Sequence, residues 1–298
     1  MIRRHDLAIA GRTLALGERP WLMGIVNASP DSFSDRGAHP DLESRVALAR
    51  ELLSQGADII DVGGESAITL RPPVAVAEEI ERVVTLVARL AGELGAIVSV
   101  DTYKPAVAQA AIEAGAAIVN DVSGLRDPEL ADVCAQTGAA LVLMHTRAAP
   151  KQRLQDPGLY DDVVADVIGF LAERMEVARG RGVRDEQIVL DPGPDFAKTP
   201  AQTIAVLRRL EELHELGRPL LLAVSRKDFV GALTGRAPRE RSAGTLAAIG
   251  FGVDAGAHVL RVHDVAHAAD FLRVRAALRG ELEVGEGLAL DDAIRHAR

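Results

Sequence analysis

The chain has 298 residues, of which 48% are hydrophobic and 26% are charged. This balance predicts a packed core and excludes a disordered chain. The formal net charge of −9 argues against nucleic acid or an anionic membrane as the main partner, because both require a basic surface.

Cysteine content and apolar stretches narrow the class of protein further. The single cysteine, Cys134, excludes an intramolecular disulfide and a multi-cysteine metal site. No stretch reaches about 18 apolar residues, the length that a membrane span needs, and the first residues lack the apolar run of a signal peptide. We therefore expect a cytoplasmic protein that binds small molecules and has neither nucleic-acid nor membrane partners.

Short apolar runs alternate with helical segments along the chain. A small hairpin is expected at residues 5–17, with its turn at Gly11-Arg12. Strands are then expected at 22–26, 58–62, 96–101, 117–121, 140–145, 187–191, 220–225 and 258–263. Helices are expected at 42–54, 76–94, 105–114, 128–136, 160–181, 200–215, 243–255 and 265–278. This alternation indicates a parallel sheet with both faces covered by helices.

Eight strand–helix units favour an α/β fold, a (β/α)8 TIM barrel with a short N-terminal β-hairpin. We expect one domain that spans residues 1–298, with the hairpin closing the bottom of the barrel. The alternative is an open, doubly wound sheet. That fold usually carries a glycine-rich loop after its first strand, whereas residues 27–33 read NASPDSF and contain no glycine.

The polar residues lie where the predicted strands end, which is where barrel enzymes place their chemistry. The strand ends carry Asn27, Asp61, Asp101, Asn120, Asp121, Met144, His145, Asp191, Ser225, Arg226, Lys227, Arg261, His263 and Asp264. For any one of them a helix N-cap is the alternative, most of all for Asp61 and Asp121. Capping is a poor explanation for all eight ends together.

The residue types at these ends fit two kinds of ligand. Carboxylates and an amide (Asp101, Asn120 and Asp191) suit a flat heterocycle with several ring N–H groups. Asn27, Arg261 and His263 lie on neighbouring strands once the barrel closes. They suit a phosphate or pyrophosphate, and the amide oxygen of Asn27 could also bind Mg²⁺. Lys227 precedes a helix N-terminus, a place that favours anions.

Seven motifs in order resemble the dihydropteroate synthase family of pterin-binding barrels. They are MGIVNASPDSFSD at 23–35, DIIDVGGES at 58–66, SVDTYKP at 99–105, NDVSG at 120–124, DPGPDFAKT at 191–199, SRK at 225–227 and GAHVLRVHDV at 256–265. The resemblance implies condensation of 6-hydroxymethyl-7,8-dihydropterin pyrophosphate with p-aminobenzoate. The products would be 7,8-dihydropteroate and pyrophosphate, in a family whose enzymes are targets of sulfonamides.

The resemblance also implies roles for individual residues. The pterin would be held by Asp101, Asn120, Met144, Asp191, Lys227 and Arg261, with Asp101, Asp191 and Lys227 as catalytic residues. The pyrophosphate would be held by Asn27, Arg261 and His263, with Mg²⁺ as cofactor on Asn27. The p-aminobenzoate slot would comprise Pro30, Phe33, Arg71, Phe196 and Asp228. A homodimer formed through the last helices, 245–255 and 265–271, is expected as well.

Three departures from the family pattern lie on the p-aminobenzoate side. After Gly-Glu-Ser, about three residues are inserted before Arg71-Pro72. Asp228 replaces a serine that, with the following helix N-terminus, receives the substrate carboxylate in the family. The run Asp195-Phe196-Ala197 replaces Gly-Phe-Gly. We expect the Asp228 side chain to cap the free N–H groups of that helix and to repel a bound carboxylate.

These departures leave alternatives to dihydropteroate synthesis. One is a divergent paralogue that binds the pterin pyrophosphate and condenses p-aminobenzoate weakly or not at all. A second is a non-catalytic pterin-binding protein, which release of pyrophosphate would exclude. A third is a pterin methyltransferase that serves a corrinoid protein. That family has no use for Asn27, His263 or the NASPDSFSD loop, so their presence argues against it.

Overall fold

The computed structural model describes residues 2–28, 41–65 and 72–295. It begins with an antiparallel hairpin of β1 (His5–Ile9) and β2 (Arg12–Leu16). The turn lies at Ala10-Gly11, one residue before its expected place, because Arg12 already pairs with Ile9. Both turn residues have positive φ, as a two-residue hairpin turn requires.

All eight predicted barrel strands are present in the described chain. They are β3 (Trp21–Asn27), β4 (Ile59–Gly63), β5 (Ile97–Asp101), β6 (Ile118–Asp121), β7 (Ala140–Met144), β8 (Ile188–Asp191), β9 (Leu221–Leu222) and β10 (Val259–Val262). The helices are α1 (Leu42–Ser54), α2 (Val76–Leu94), α3 (Pro105–Glu113), α4 (Glu129–Thr137), α5 (Val163–Gly180), α6 (Pro200–Arg208), α7 (Asp228–Thr234), α8 (Ser242–Asp254), α9 (Val265–Leu278) and α10 (Asp292–Arg295). None of these helices is long and apolar enough to cross a membrane.

The strands form a barrel and not an open sheet. Their order is β8-β7-β6-β5-β4-β3-β10-β9, and every neighbouring pair is parallel. The first barrel strand, β3, pairs with both the second and the last strand. A single parallel bridge between Leu190 and Leu220 closes the seam between β8 and β9. The (β/α)8 prediction is confirmed.

Three predicted elements differ most from their expected bounds, and one helix is additional. The seventh barrel strand shrinks to Leu221–Leu222, and the helix expected at 200–215 ends at Arg208 before a 3-10 turn. The helix expected at 160–181 begins at Val163, because the Asp162 side chain accepts hydrogen bonds from the N–H groups of Val164 and Ala165. Between β9 and the expected helix at 243–255, the chain forms the extra short helix α7.

Side chains alternate between the two sides of the barrel wall, as strand geometry requires. The outward residues pack against the helices in the main core, while the lower inward residues form a second apolar cluster with the hairpin. Leu7, Ile9, Leu14 and Leu16 of the hairpin are all buried in this second cluster. The hairpin therefore plugs the bottom of the barrel, as predicted, and leaves only the upper end for a site.

Candidate active site

The inward register of the strands brings six polar or soft side chains together at the upper end. On β4 the alternation runs from Ile59 in the lower cluster to Asp61, and on β10 from Val259 to Arg261. The same alternation applies to the other strands. The residues that it turns inward are Asp61, Asp101, Asn120, Met144, Asp191 and Arg261.

Arg261 is the centre of this group. Its Nε donates to Asp61 Oδ2 at 2.7 Å, and its Nη2 donates to Asp101 Oδ2 at 2.8 Å. The Nδ2 of Asn120 also donates to Asp61 Oδ2, at 3.3 Å. One guanidinium thus holds two carboxylates from neighbouring strands in a fixed arrangement.

Asp61 lies in this cluster, although no ligand role was expected for it from the sequence. It is fully buried, and its Oδ1 accepts no hydrogen bond from the described residues. A buried carboxylate oxygen without a donor is costly, so Asp61 Oδ1 is a candidate acceptor for a ligand N–H. The helix-cap alternative is wrong for Asp61 and also for Asp121. The Asp121 carboxylate accepts from the backbone N–H groups of Ser123 and Leu125 in the loop after β6, whereas α4 begins at Glu129 with Pro128 as its N-cap. The two-residue alternation with Ile59 was the signal that places Asp61 in the cluster.

Burial shapes the titration of the site carboxyls. It raises the pKa of Asp101 to about 7, against the opposing attraction of Arg261. Burial likewise raises the pKa of Asp191, whose Oδ1 accepts a hydrogen bond from Gly193 N at 2.7 Å. At neutral pH the Asp101 carboxyl can therefore bind or release a proton, which suits a residue that faces changing charge on a substrate.

Lys227 enters from the strand β9 side of the site. Burial lowers the pKa of its amine, and its Nζ lies 4.3 Å from the centre of the Phe196 ring. The preceding residue, Arg226, has a φ of 59°. That backbone is held by Arg241, whose Nη1 donates to the carbonyl oxygens of Arg226 and Lys227 at 2.8 and 3.1 Å.

The predicted anion residues lie at the same end of the barrel. Asn27 aligns with Gly63 on β4, which in turn aligns with Asp101 on β5. A Cβ added at Gly63 would lie 3.9 Å from Asn27 Oδ1, so the amide oxygen faces the space above this glycine. On the other side of β3, the Nδ1 of His263 lies 3.0 Å from Ser225 Oγ.

The described residues do not form a protein cage for a metal ion. They contain no group of three or more His, Cys, Asp or Glu side chains that could hold one. A Mg²⁺ ion usually keeps several waters and binds through one or two protein oxygens together with substrate phosphates. The amide oxygen of Asn27 fits a Mg²⁺ site of this kind, in which one protein oxygen binds the ion together with waters and substrate phosphates.

The expectation that the Asp228 side chain caps the helix is wrong. Helix α7 begins at Asp228 itself, so Lys227 occupies the N-cap position and makes no side-chain cap. The first amides are capped instead by Asp195, whose Oδ2 accepts from Asp228 N at 2.5 Å and from Phe229 N at 3.3 Å. The Asp228 carboxylate turns to Arg241 Nη1 at 3.2 Å. Two departures from the family pattern, Asp195 and Asp228, are therefore in direct contact.

The remaining slot residues divide between the described and undescribed parts of the chain. Phe196 lies over Lys227, whereas Pro30, Phe33 and Arg71 lie outside the described residues. The segments that flank residues 66–71 are joined by Lys104, whose Nζ donates to Glu65 Oε2 and to Val74 O, both at 2.7 Å.

Comparisons with known proteins agree with this geometry. A family model described as pterin binding enzyme matches residues 23–263. The dihydropteroate synthase of Bacillus subtilis is 40% identical over 275 residues, which are 92% of this chain and 94% of the relative.

Solved structures extend the likeness to three dimensions. Xanthomonas albilineans dihydropteroate synthase with 4-aminobenzoic acid is 43% identical, with a TM-score of 0.85 and coverage of 93% of this chain and 99% of that one. The Yersinia pestis dihydropteroate synthase in a sulfonamide drug complex is 38% identical, with a TM-score of 0.87 and coverage of 92% and 99%. By the family model and these identities, the chain belongs to the dihydropteroate synthase family of pterin-binding enzymes.

Proposed function

We propose that this protein is a dihydropteroate synthase, a transferase that joins 6-hydroxymethyl-7,8-dihydropterin pyrophosphate to 4-aminobenzoate. The observation that carries the proposal is the buried arrangement of Asp61, Asp101 and Asn120 around Arg261. These side chains place hydrogen-bond acceptors and donors around one space at the upper end of the barrel. A pterin ring, with its amide edge and ring N–H groups, matches that set.

The pterin is held by side chains from seven strand ends. The proposed contacts are Asp61, Asp101, Asn120, Met144, Asp191, Lys227 and Arg261. When the bond between the methylene carbon and its oxygen breaks, the electron pair leaves with pyrophosphate and positive charge develops on the pterin. The carboxylates of Asp101 and Asp191 face that charge, and buried carboxylates stabilise a cation far more than water does.

The leaving pyrophosphate requires positive charge and donors at the opposite side of the pocket. Asn27, Arg261 and His263 are the proposed ligands, because they lie at the ends of the adjacent strands β3 and β10. Mg²⁺ would neutralise the pyrophosphate oxygens, with the Asn27 amide oxygen as the protein ligand. Arg261 thereby contacts both halves of the substrate.

The amine substrate enters on the side of Phe196 and Lys227. Its nitrogen forms the new bond to the methylene carbon and releases one proton. Pro30, Phe33 and Arg71 stay predictions for this slot. Asp195 and Asp228 place two carboxylates near it, so the 4-aminobenzoate carboxylate meets more negative charge than the family pattern provides.

A pyrophosphate-release assay tests the proposal. With the pterin pyrophosphate, Mg²⁺ and 4-aminobenzoate we expect stoichiometric pyrophosphate and dihydropteroate. Pyrophosphate release without dihydropteroate, whatever the amine concentration, would favour the divergent paralogue. Pterin binding without any release would favour a binding protein.

A homodimer is the second part of the proposal. Helices α6, α7 and α8 border an apolar groove of about 310 Å³. Leu233 and Phe251 on its rim are 69% and 51% exposed. Exposed large apolar residues at one face indicate a protein contact. Light scattering should give a dimer mass for the parent and a monomer mass for Phe251→Glu. The cytoplasmic location and the single domain stay predictions.

A further inference from the structure

The loop between β8 and α6 carries a buried lysine that the proposed chemistry does not use. Lys198 is fully buried, and its Nζ makes three hydrogen bonds. It donates to His145 Nδ1 at 2.6 Å, to Gly193 O at 3.0 Å and to Phe196 O at 3.2 Å. An ammonium has three N–H donors, so the charged form matches its three acceptors one for one.

The tautomer of His145 is fixed by its two neighbours. Its Nδ1 accepts from Lys198, so its Nε2 carries the hydrogen and donates to Asp166 Oδ1 at 2.9 Å. Asp166 also binds Arg147, through Arg147 Nε at 3.0 Å. Burial and the adjacent lysine lower the pKa of His145 to about 3, so the ring stays neutral at physiological pH. The neutral ring thus connects the ammonium to the Asp166 carboxylate.

Lys198 is linked through the loop backbone to two of the proposed pterin ligands. The backbone of Gly193 connects Lys198 to Asp191. Its carbonyl oxygen accepts from Lys198 Nζ, and its N–H donates to Asp191 Oδ1. The backbone of Phe196 joins Lys198 to the ring that lies on Lys227. No residue with a side chain fits at position 193, because an added Cβ would lie 2.1 Å from His145 O.

The loop needs such a restraint because its backbone is strained. Asp195 and Ala197 have φ values of 65° and 51°, in the left-handed region that side chains disfavour. Each such residue costs free energy and persists only where its surroundings hold it. Besides Lys198, Tyr160 holds the loop by donating from its hydroxyl to Ala197 O at 2.8 Å.

We propose that Lys198, supported by His145, is a positioning residue that fixes the β8–α6 loop and thereby orients Asp191 and Lys227 toward the pterin. This inference deepens the proposed function and rests on it. The ammonium is required, since a neutral amine has two donors for three acceptors. Burial lowers the pKa of Lys198 to about 7, so the restraint weakens as pH rises through neutrality. The charged or titratable groups that face Lys198 are His145, Tyr160, Asp166, Asp191, Asp195 and Lys227.

Two substitutions test the proposal. Lys198→Met keeps the length of the side chain and removes the charge and all three donors. We expect kcat/KM for the pterin pyrophosphate to fall on the order of 10-fold or more. The affinity for 6-hydroxymethyl-7,8-dihydropterin, measured by calorimetry, should weaken in parallel. Lys198→Arg keeps a charge at every accessible pH, so it should recover part of the activity and retain it above about pH 8. The parent should lose activity there.

A matched control lies at the other end of the barrel. His258→Gln also removes buried hydrogen bonds, and we expect it to leave kcat/KM unchanged. An equal loss in both variants would overturn the proposal, because the effect would be one of general stability. Unchanged kcat/KM in folded Lys198→Met would also overturn it.

If Lys198→Met does not fold, the pH profile decides. The same alkaline loss in the parent and in Lys198→Arg would overturn the role of the ammonium. A parent without turnover would instead overturn the proposed function. The calorimetric comparison would then still test Lys198, because it requires no reaction.

Discussion

The two ends of the barrel interior are built on the same strands, yet the lower end is apolar and the upper end is charged. At the lower end, Leu7 and Leu14 of the hairpin pack against inward apolar residues, and hydrophobic burial stabilises this part of the fold. At the upper end, Arg261 and Lys227 lie among carboxyl groups, and burial raises the pKa of Asp101 and Asp191 and lowers that of Lys227. The comparison shows that one set of strands supports an apolar plug at the bottom and a charged site at the top.

Backbone conformation shows the same division. Among the described residues, six non-glycine positions have positive φ, and five of them lie in loops that follow barrel strands at the upper end. These are Leu125, Lys151, Asp195, Ala197 and Arg226, whereas Ala10 is in the hairpin turn. Strain of this kind is tolerated where neighbouring groups hold the chain and where function requires one conformation. The lower end needs no such device beyond a tight turn.

The largest expected effect comes from removing the charge at the centre of the upper end. Arg261→Met leaves Asp61 and Asp101 without their shared cation, and Asp61 is fully buried. We expect the free energy of unfolding at neutral pH to fall by about 3 kcal/mol or more, with loss of turnover. Chemical denaturation and the pyrophosphate assay measure the two effects. An unchanged unfolding midpoint would contradict the account of this cluster, and Arg261→Lys should lose less stability.

The matching change at the lower end should separate stability from activity. Leu7→Ala removes a buried side chain of the plug, and the free energy of unfolding should fall by about 2 to 4 kcal/mol. Below the unfolding transition, kcat/KM should equal that of the parent, since the hairpin contacts none of the proposed ligands. A loss of kcat/KM in fully folded Leu7→Ala would show that the two ends are coupled.

A pH-dependent effect of similar size belongs to His258 near the plug. Its Nδ1 accepts from Leu220 N at 3.0 Å, and its Nε2 donates to Arg3 O at 2.9 Å, so both nitrogens serve the neutral ring. Burial lowers the pKa of His258 to about 4, from about 6.5 in the unfolded chain. Between these values only the unfolded chain binds the proton, so stability falls as pH falls from about 6.5 to about 4.

His258→Gln isolates this contribution. The stability difference between parent and variant should shrink by about 3 kcal/mol over that window. The opposite contribution of Asp101, whose pKa is raised, is common to both proteins and cancels. Denaturant titrations at several pH values measure the difference. A difference that does not vary with pH would show that His258 does not titrate in this way.

The smallest effect concerns the amine side of the upper end. Asp195→Asn keeps an acceptor for the amides of Asp228 and Phe229 and removes one negative charge. We expect the KM for 4-aminobenzoate to fall by a factor of about 5, equal to about 1 kcal/mol, because like charges near the slot repel the substrate carboxylate. Asp228→Ser should change this KM less, since Arg241 already compensates the Asp228 charge. Equal KM values in parent and Asp195→Asn, with normal turnover, would place the substrate carboxylate elsewhere.

The sequence predicted the barrel and most of the upper-end residues because both depend on local periodicity. Alternation along each short strand decides which side chains turn inward, and Asp101, Asn120 and Arg261 follow from it. The error at Asp228 had a different origin. A cap must precede the first helical residue, and α7 begins at Asp228 itself, one residue earlier than a cap at Asp228 would require. The contacts of Asp195 with Asp228 and of Lys198 with His145 join residues 33 and 53 positions apart. No periodicity encodes such contacts.

The thin seam between β8 and β9 has a dynamic consequence. Within the described chain a single bridge, from Leu190 to Leu220 directly before β9, joins this seam, while β3 and β4 align over five residue pairs. Local opening costs least where the fewest backbone hydrogen bonds must break. We therefore expect the amide hydrogens around Leu220 to exchange with solvent faster than those in β4. We also expect local opening of the barrel to occur between β8 and β9. Asp191 and Lys227 lie on opposite sides of this seam. Substrate bound between them would therefore link the two sides and oppose local opening of the barrel there.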